Sequence, residues 1–337
     1  MIISRTPYRL SLFGGGTDYP PWFRAHGGAV LGFAIDKYCY ISVRRLPPFF
    51  EHRSRIVYSR IEMVRHPREI EHPAARAVLQ DQGFEDEGLE IHHDGDIPAR
   101  SGVGSSSSFT VGLLNALAAF RGRHISKEDL ARTAIRIEQD VIGENVGSQD
   151  QVWAAYGGMN RIDFDRNGGF QVSPLILPAS RQAELMSHMM LFFTGLSRNA
   201  SDVAGQKIAN LQKRADDLRR MRAMVDDATA ILADTTRPIA DLGPLLDEGW
   251  RLKRGLAERV STGTIDEIYA EGMAAGAVGG KLLGAGGGGF VAFLVPPARQ
   301  AAVRERLRKL VQVDVDIDHA GSTIVVYEPR GFGRRAA

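Results

Sequence analysis

The chain has 337 residues, a length typical of about two domains. Hydrophobic residues make up 44% of it and charged residues 24%, which is ordinary for a globular protein with a large core. The net charge of +2 excludes the strongly basic balance typical of nucleic-acid-binding domains, so we expect no nucleic-acid partner. The single cysteine, Cys39, excludes an internal disulfide bond.

Targeting and membrane segments are not expected from the sequence. The opening stretch, MIISRTPYRLSL, lacks the apolar core of a secretory signal. Uncharged stretches stay shorter than the roughly 20 apolar residues that span a bilayer. We therefore expect a cytoplasmic protein without a membrane partner.

The first half of the chain predicts a mixture of strands and helices. In chain order, the predicted elements are strands at 1–12 and 28–46, a strand in SRIVYSRIEMV, a strand in LEIHHDGDIP, helices at 105–121, 126–142 and 145–156, and a hairpin in MNRIDFDRNGGFQVSPL. The hairpin turn is assigned to Asn167-Gly168-Gly169, because such residues favour tight turns.

The second half predicts a strand, several helices, a strand, a helix and final strands. Its predicted elements are a helix at Arg181–His188, the strand MMLFFTG, a long amphipathic stretch at 199–233, helices near 240–260 and 264–278, the strand GGFVAFLVPP, a helix at 298–311, and the strands VDVDID and STIVVYE. This order predicts two α+β domains, at 1–170 and 171–330. The long stretch is a candidate homodimer interface, although an apolar helix face is more often intramolecular core.

Small polar residues stand directly before a predicted core helix in PARSGVGSSSSFTVGLLNAL, residues 98–117. Glycines allow backbone N–H groups to approach a ligand closely, and the first turn of a helix carries unpaired N–H donors. Serine hydroxyls add donors, and one of them can enter a magnesium shell. A flexible linker would not be followed at once by core helix, so the stretch favours a phosphate-binding loop over a merely capped helix start. The candidate phosphate-binding residues are Gly102, Val103, Gly104, Ser105, Ser106, Ser107 and Ser108.

Two further segments carry candidate acids. In RTPYRLSLFGGGTDYPPW, a short carboxylate, Asp18, stands beside a hydroxyl and an aromatic ring, a combination that binds sugar hydroxyls, unless Asp18 is only a turn residue. Glu138 and Asp150 are twelve residues apart, about 18 Å along a straight helix. A break near 143–147 would turn both toward one cleft, where one acid binds a metal and the other accepts a hydroxyl proton. Two solvated helix acids are the alternative.

A run of glycines precedes the late strand in GGKLLGAGGGGFVAFLV, at 284 and 286–289. Four consecutive glycines are entropically costly to order, which indicates a close backbone approach or a tight turn. A loop where two domains touch is the alternative.

Together these segments resemble the GHMP small-molecule kinases along essentially the whole chain. The family's central motif, P-x-x-x-G-L-G-S-S, is matched from Pro98 to Ser106, with Val103 in the place of the usual leucine. Its first motif, P-x-R-x-x-L-x-G-x-x-T-D-Y, is matched from Pro7 to Tyr19, and its last from Lys281 to Phe290. The resemblance implies the two-domain α+β fold of that family, with an N-terminal domain like ribosomal protein S5 domain 2 and a ferredoxin-like C-terminal domain.

Within the family, RTPYRLSLFGGGTDYP and FTGLSRNASDV are most similar to kinases that convert D-glycero-D-manno-heptose 7-phosphate to the 1,7-bisphosphate used for GDP-heptose and surface glycans. This implies ATP and Mg²⁺ as cofactors and a small sugar phosphate as partner. Gly15-Gly16 replace the Glu-His pair of galactokinases, which disfavours a galactose-type substrate. Another acceptor such as L-fucose, a non-sugar alcohol, or a non-catalytic sugar sensor remain alternatives.

The resemblance also implies a role for each matching residue. Ser106 and Glu138 would hold magnesium, Asp150 would be the catalytic base, and Arg9 would lie beside it. The implied substrate-binding residues on the sugar side and along the cleft are Asp18, Thr17, Gly15, Gly16, Gly286 and Gly287.

A sugar phosphate needs a second anion site. In FTGLSRNASDV, Thr194 and Arg198 lie at a predicted helix start, where an arginine fork suits a phosphate. An ordinary helix cap with a surface arginine is the alternative, and Lys207 and Lys281 are weaker candidates for the same role.

Overall fold

A long antiparallel strand pair is the frame on which the first part of the chain is built. The computed structural model describes residues 1–47, 49–196 and 200–329. Strand β1 (Ile2–Phe13) pairs with β2 (Gly28–Arg45), from Ile2 opposite Val43 to Phe13 opposite Leu31. The second half of β1 is buried without alternation, because helices pack against it from both parts of the chain.

The larger sheet has eight strands in the described residues. Its other members are β3 (Ser54–Val57), β4 (Ile61–Val64), β5 (Leu89–Gly95), β6 (Met159–Phe164), β7 (Phe170–Pro174) and β12 (Thr323–Tyr327). The order is β12-β1-β2-β5-β3-β4, with β6 pairing with β2 and β7 pairing with β6. SRIVYSRIEMV, predicted as one strand, is the hairpin β3–β4, because Tyr58 N–H donates to Arg60 O and closes a turn in its middle.

The helices of the first part of the chain pack on this sheet, and the longest of them is largely buried in the core. They are α1 (Pro20–His26), α2 (Pro73–Asp81), α3 (Ser105–Phe120), α4 (Lys127–Arg136) and α5 (Gln149–Tyr156). The prediction of α3 is confirmed. After α4 the chain makes one π-helical turn, Ile137–Val141, and is then irregular until α5 begins at Gln149.

The smaller sheet contains β8 (Met189–Phe193), β9 (Gly279–Leu282), β10 (Phe290–Leu294) and β11 (Val311–Val313). Its order is β11-β8-β10-β9, which is the 4-1-3-2 order of a ferredoxin-like βαββαβ unit. The helices of this part are α6 (Ala179–His188), α7 (Ala200–Asn210), α8 (Ala215–Ala233), α9 (Leu242–Gly255), α10 (Gly263–Ala274) and α11 (Gln300–Arg306). The stretch predicted as one amphipathic unit, 199–233, is interrupted by a 3₁₀ turn at Gln212–Arg214.

Strand β9 was not predicted, because its two glycines have low strand propensity. The structure explains them: an added Cβ on Gly279 would lie 2.1 Å from Gly243 O, and one on Gly280 would lie 2.7 Å from a Phe293 ring carbon. The strand predicted in VDVDID is also wrong for most of its length. β11 ends at Val313, and beyond it Ile317 forms an isolated bridge with Ile35 of β2.

The boundary predicted between 170 and 171 does not follow the sheets. β7 continues to Pro174 in a hairpin with β6, and β12 pairs antiparallel with β1, so both extend the larger sheet from beyond that boundary. The chain therefore returns to the first sheet after completing the smaller one, because the edge of β1 opposite β2 accepts β12. Among the described residues, every helix is too short or too polar to span a bilayer.

Candidate active site

Segments from both parts of the chain line one cleft. These segments are the loop before α3, the glycine-rich turn after β1, the start of α5, the glycine loop after β9, and lysines of α7, α9 and β9. Most of the residues predicted for phosphate and sugar binding are therefore neighbours. Their contacts show which of them face the cleft.

The loop before α3 is built by glycine. Gly102 and Gly104 both have positive φ, at 82° and 81°, where a side chain is strained. Gly104 is the N-cap of α3, and it has no side-chain cap, so the N–H groups of the first turn are left to the cleft that Ser105–Ser107 line. This arrangement, with the positive end of the helix dipole, is an anion site.

The four serines of this loop have different tasks. Ser105 Oγ accepts from Arg100 N–H at 3.1 Å, and Ser108 Oγ donates to Pro7 O at 2.8 Å. Ser107 Oγ is buried and donates to Glu138 Oε2 at 2.8 Å. Ser106 is exposed to the cleft, and its hydroxyl has no hydrogen-bond partner in the part of the chain that the structure describes.

Glu138 is a buried acid with one unpaired oxygen. Its Oε2 also accepts from Gln151 Nε2 at 2.5 Å, whereas Oε1 has no hydrogen-bond partner among the described residues. Burial raises the pKa of Glu138 to about 7. The serine that contacts Glu138 is Ser107, which follows the predicted metal ligand Ser106 along α3.

This donor set fits a magnesium ion. A hard cation takes few protein oxygens when it is also bound by substrate phosphates. The candidate oxygens are the cleft-facing Ser106 hydroxyl and Glu138 Oε1, which is buried, unpaired among the described residues and joined to the cleft wall through Ser107. The described residues contain no cluster of three or more His, Cys, Asp or Glu side chains suited to a metal, so an all-protein cage is not formed there.

Arg9 and Asp150 form a two-pronged ion pair beside the phosphate loop. Arg9 Nε donates to Asp150 Oδ1 at 2.7 Å, and Arg9 Nη2 donates to Oδ2 at 2.6 Å. Arg9 Nη1 also donates to Gly102 O at 2.7 Å, which ties the pair to the loop. An added Cβ on Gly104 would lie 3.4 Å from Asp150 Oδ2. The predicted helix break places Asp150 in the first turn of α5.

Asp18 lies in the same cleft and is held from two sides. Its Oδ1 accepts from Gly16 N–H and its Oδ2 from Gln149 Nε2, both at 2.8 Å. Burial raises the pKa of Asp18, and the nearby charge of Asp150 adds to that effect. An added Cβ on Gly147 would lie 1.9 Å from Asp18 Oδ2, so the glycine makes room for this carboxylate. Gly15 and Gly16 line the cleft beside it.

Six predicted residues of the described part of the chain do not line the cleft. The Thr17 hydroxyl donates to Gly14 O and Ala29 O, so it is buried where it holds a turn against β2. Thr194 donates to Gly289 O at 2.7 Å. The others not among the lining residues are Val103, Ser108, Gly287 and the buried Glu138, which reaches the cleft wall only through Ser107. Arg198, predicted for the second anion site, lies outside the described residues.

The glycine loop after β9 supports the phosphate loop. Phe290 N–H donates to Ser101 O at 3.1 Å. An added Cβ would lie 2.5 Å from Gly102 Cα at Gly284, and 2.1 Å from Ser101 O at Gly289. These glycines therefore permit close approach of two backbones, as their entropic cost suggested. Gly286, predicted on the cleft, lines it.

Three buried lysines, Lys207, Lys253 and Lys281, also line the cleft, and the sequence indicates only Lys207 and Lys281 as candidates. Lys253 donates to Leu282 O and Gly284 O at 2.6 and 2.7 Å, and Lys281 donates to Leu12 O at 2.7 Å. Burial lowers all three pKa values, to about 8 for Lys207, to about 7 for Lys281 and well below the ordinary value for Lys253. A lysine on an amphipathic helix is usually solvated, and nothing in the sequence around Lys253 predicts that it is buried.

The chain belongs to the GHMP kinases. Residues 69–158 match the GHMP kinases N terminal domain, and residues 229–312 match the GHMP kinases C terminal domain. The resemblance deduced from the motifs, and the two-domain α+β fold that it implies, are thus confirmed.

Among known proteins, the chain is similar to the D-glycero-alpha-D-manno-heptose 7-phosphate kinase of Campylobacter jejuni. The two are 30% identical over 319 residues, which cover 91% of this chain and 93% of that protein. The structure is similar to a D-glycero-D-manno-heptose 1-phosphate kinase from Bacteroides thetaiotaomicron, with a TM-score of 0.77, 25% identity and coverage of 96% and 98% of the two chains. The Lactococcus lactis galactokinase complexed with galactose, at 18% identity, TM-score 0.73 and coverage of 96% and 94%, shares the fold.

This chain is therefore a phosphotransferase that acts on an alcohol group of a sugar. Kinases of its family use ATP. The phosphate loop, Arg9, Asp150 and Asp18 lie in one cleft, which is the arrangement such a reaction needs.

Proposed function

We propose that this chain transfers the γ-phosphoryl group of ATP to the anomeric hydroxyl of D-glycero-D-manno-heptose 7-phosphate, giving the 1,7-bisphosphate for GDP-heptose and surface-glycan synthesis. The observation that carries the proposal is the Arg9–Asp150 ion pair, which lies against Gly104 at the start of α3 and shares its cleft with Asp18. The similarity to the C. jejuni heptose 7-phosphate kinase supports the choice of acceptor.

The start of α3 binds the phosphates of ATP. Phosphoryl transfer passes through a loose transition state, so positioning and charge stabilisation supply most of the acceleration. The first-turn N–H groups of α3 are preorganised toward the oxygens that gain charge as the bond to ADP breaks. Gly102 and Gly104 let the phosphates approach the backbone.

Asp150 acts on the attacking hydroxyl. Its carboxylate accepts the hydroxyl proton while the sugar oxygen forms a bond to the γ-phosphorus and the bond to the β-phosphate oxygen breaks, leaving ADP. Arg9 holds both carboxylate oxygens, so it orients the base, and its guanidinium adds positive charge beside the transferred group. An anomeric hydroxyl is more acidic than an ordinary alcohol, which reduces the demand on the base.

Ser106 and Glu138 are the residues that would hold Mg²⁺. When bound, the ion neutralises charge on the phosphate oxygens. Glu138 Oε1 is available for this, and Ser107 and Gln151 fix the orientation of the carboxylate through Oε2.

Asp18 is assigned to the sugar hydroxyls, held by Gly16 and Gln149 in a fixed orientation. Arg198 remains a candidate for the distal phosphate. A cytoplasmic location and a homodimer remain predictions.

A second candidate acceptor is L-fucose. The Arabidopsis thaliana bifunctional fucokinase/GDP-fucose pyrophosphorylase is 25% identical over 338 residues, which cover 92% of this chain and 31% of that protein. The geometry of Arg9 and Asp150 would serve either sugar, because both carry an anomeric hydroxyl.

An acceptor panel tests the proposal. Heptose 7-phosphate, heptose, mannose, mannose 6-phosphate, L-fucose, galactose and mevalonate would each be supplied with ATP and Mg²⁺, with ADP release as the readout. Phosphorus NMR of the product identifies the phosphorylated carbon. We expect the highest kcat/KM with heptose 7-phosphate and a new phosphate on C1. A preference for L-fucose, or phosphate on another carbon, overturns the assignment, and no turnover with any acceptor supports the sugar-sensor alternative.

A further inference from the structure

Lys207 is a buried cation that neither the fold nor the chemistry above uses. It lies on α7, its residue is 3% exposed, and it lines the active-site cleft. Among the described residues, its ammonium has no hydrogen-bond or ion-pair partner. The residue is buried, but its ammonium nitrogen keeps access to the cleft, where an anionic ligand can reach it.

The two neighbouring lysines are different. Lys253 is held by the carbonyls of Leu282 and Gly284, and Lys281 by the carbonyl of Leu12. Both join the glycine loop or β9 to the rest of the cleft wall, which is a structural task. Lys207 donates to no carbonyl in the part of the chain that the structure describes, so its ammonium can pair with a ligand.

The position of Lys207 favours the acceptor over the nucleotide. Asp18, the carboxylate assigned to the sugar hydroxyls, raises the pKa of all three lysines, whereas Arg9 lowers the pKa of Lys253 and Lys281 only. The phosphates of ATP already have the start of α3. A second anion in this cleft would come with the acceptor, at the end of the sugar far from the reacting hydroxyl.

We propose that Lys207 binds the terminal phosphate of a phosphorylated sugar acceptor and thereby selects sugar phosphates over free sugars. The inference rests on the proposed function, because only a phosphorylated acceptor carries this group. The bound phosphate supplies the acceptor that Lys207 lacks among the described residues.

Kinetics of four proteins test this proposal: wild type, Lys207→Met, Lys207→Arg and Lys213→Met. Lys213 is an exposed lysine of the next turn, so its variant controls for the loss of one charge. We expect Lys207→Met to raise the KM for heptose 7-phosphate about 10- to 100-fold, the cost of one charge-assisted hydrogen bond. The KM values for free heptose and for ATP should change less than about threefold, Lys207→Arg should recover most of the loss, and Lys213→Met should match wild type.

A purely structural role for Lys207 would raise all KM values alike or lower kcat for every acceptor, and that result overturns the proposal. An unchanged KM for heptose 7-phosphate overturns it also, while leaving the proposed kinase activity intact. If Lys207→Met does not fold, as judged by circular dichroism, Lys207→Gln replaces it.

A binding measurement separates this inference from the proposed function. Mannose 6-phosphate and mannose are titrated into wild type and Lys207→Met without ATP, with calorimetry as the readout. If Lys207→Met weakens the binding of mannose 6-phosphate but not that of mannose, the result supports the lysine site. This holds even if heptose 7-phosphate is not phosphorylated. Equal affinities in the two proteins, or no phosphate preference in wild type, overturn it.

Discussion

The two sides of the cleft are built in different ways. The phosphate side is one contiguous segment, Gly102–Ser108. Its proposed phosphate donors are backbone N–H groups, which the conformations of Gly102 and Gly104 leave accessible. The acceptor side is assigned Asp18, Gln149 and Lys207, which come from three places in the chain. Sites built from the backbone leave a local signature, because they need particular residues in succession. Sites built from distant side chains leave none.

The largest expected effect comes from the base between the two sides. Asp150→Asn should lower kcat by about 10²–10⁴-fold, because the amide cannot accept the hydroxyl proton, while nucleotide binding stays nearly intact. Steady-state kinetics and ATP-analogue binding measure the two effects. Asp81→Asn is the control, since it removes an aspartate paired with Arg136 away from the cleft. A kcat within threefold of wild type would remove Asp150 from this role.

The metal ligands of the phosphate side can be tested separately. Glu138→Gln should raise the Mg²⁺ concentration for half-maximal activity about 10- to 100-fold, because a neutral amide oxygen replaces a carboxylate oxygen. Activity is titrated with Mg²⁺ at saturating ATP and acceptor. The wild-type Mg²⁺ dependence in this variant would mean that Glu138 only braces Ser107 and Gln151.

On the acceptor side, the space that Gly147 leaves for the Asp18 carboxylate can be tested. Gly147→Ala should raise the acceptor KM about 10-fold and leave the ATP KM nearly unchanged, because its Cβ displaces the Asp18 carboxylate, and loss of one hydrogen bond to a charged group costs about that much. Gly147 does not need a positive φ, so the change tests space alone. Gly255→Ala is the control, since no atom lies within 4 Å of its added carbon. Equal increases in both KM values would contradict the assignment of Asp18 to the sugar.

The smallest expected effect is on stability. Lysine in an unfolded chain titrates near 10.5, whereas Lys281 titrates at about 7 and Lys207 at about 8 in the folded protein, in a cleft that also contains Arg9 and Asp18. Between pH 7 and 9 the unfolded state therefore binds more protons, so stability increases with pH. We expect the melting temperature of the ligand-free protein to rise by about 2–4 °C over this range. Lys281→Met should reduce the rise. A melting temperature that falls with pH would contradict the lowered pKa values of the two lysines.

Much of the local structure could be read from residues in succession. The alternation and apolar spacing predicted β1, β2 and α3, and the glycines and serines before α3 predicted a phosphate loop. The motif resemblance also indicated Arg9 and Asp150, which the structure joins in an ion pair. The strand β9 escaped prediction because its glycines are explained only by neighbours from α9 and β10.

Residue type and order were thus sufficient for the family, the glycine-rich start of α3 and the candidate base Asp150, because these depend on backbone conformation and on short motifs. Only the tertiary structure assigned β12 to the larger sheet, buried the Thr17 hydroxyl in a turn, joined Ser107 to Glu138 and buried three lysines around one cleft. Such features depend on contacts between residues far apart in the chain, and burial, which sets the charge and pairing of each side chain, arises only from those contacts.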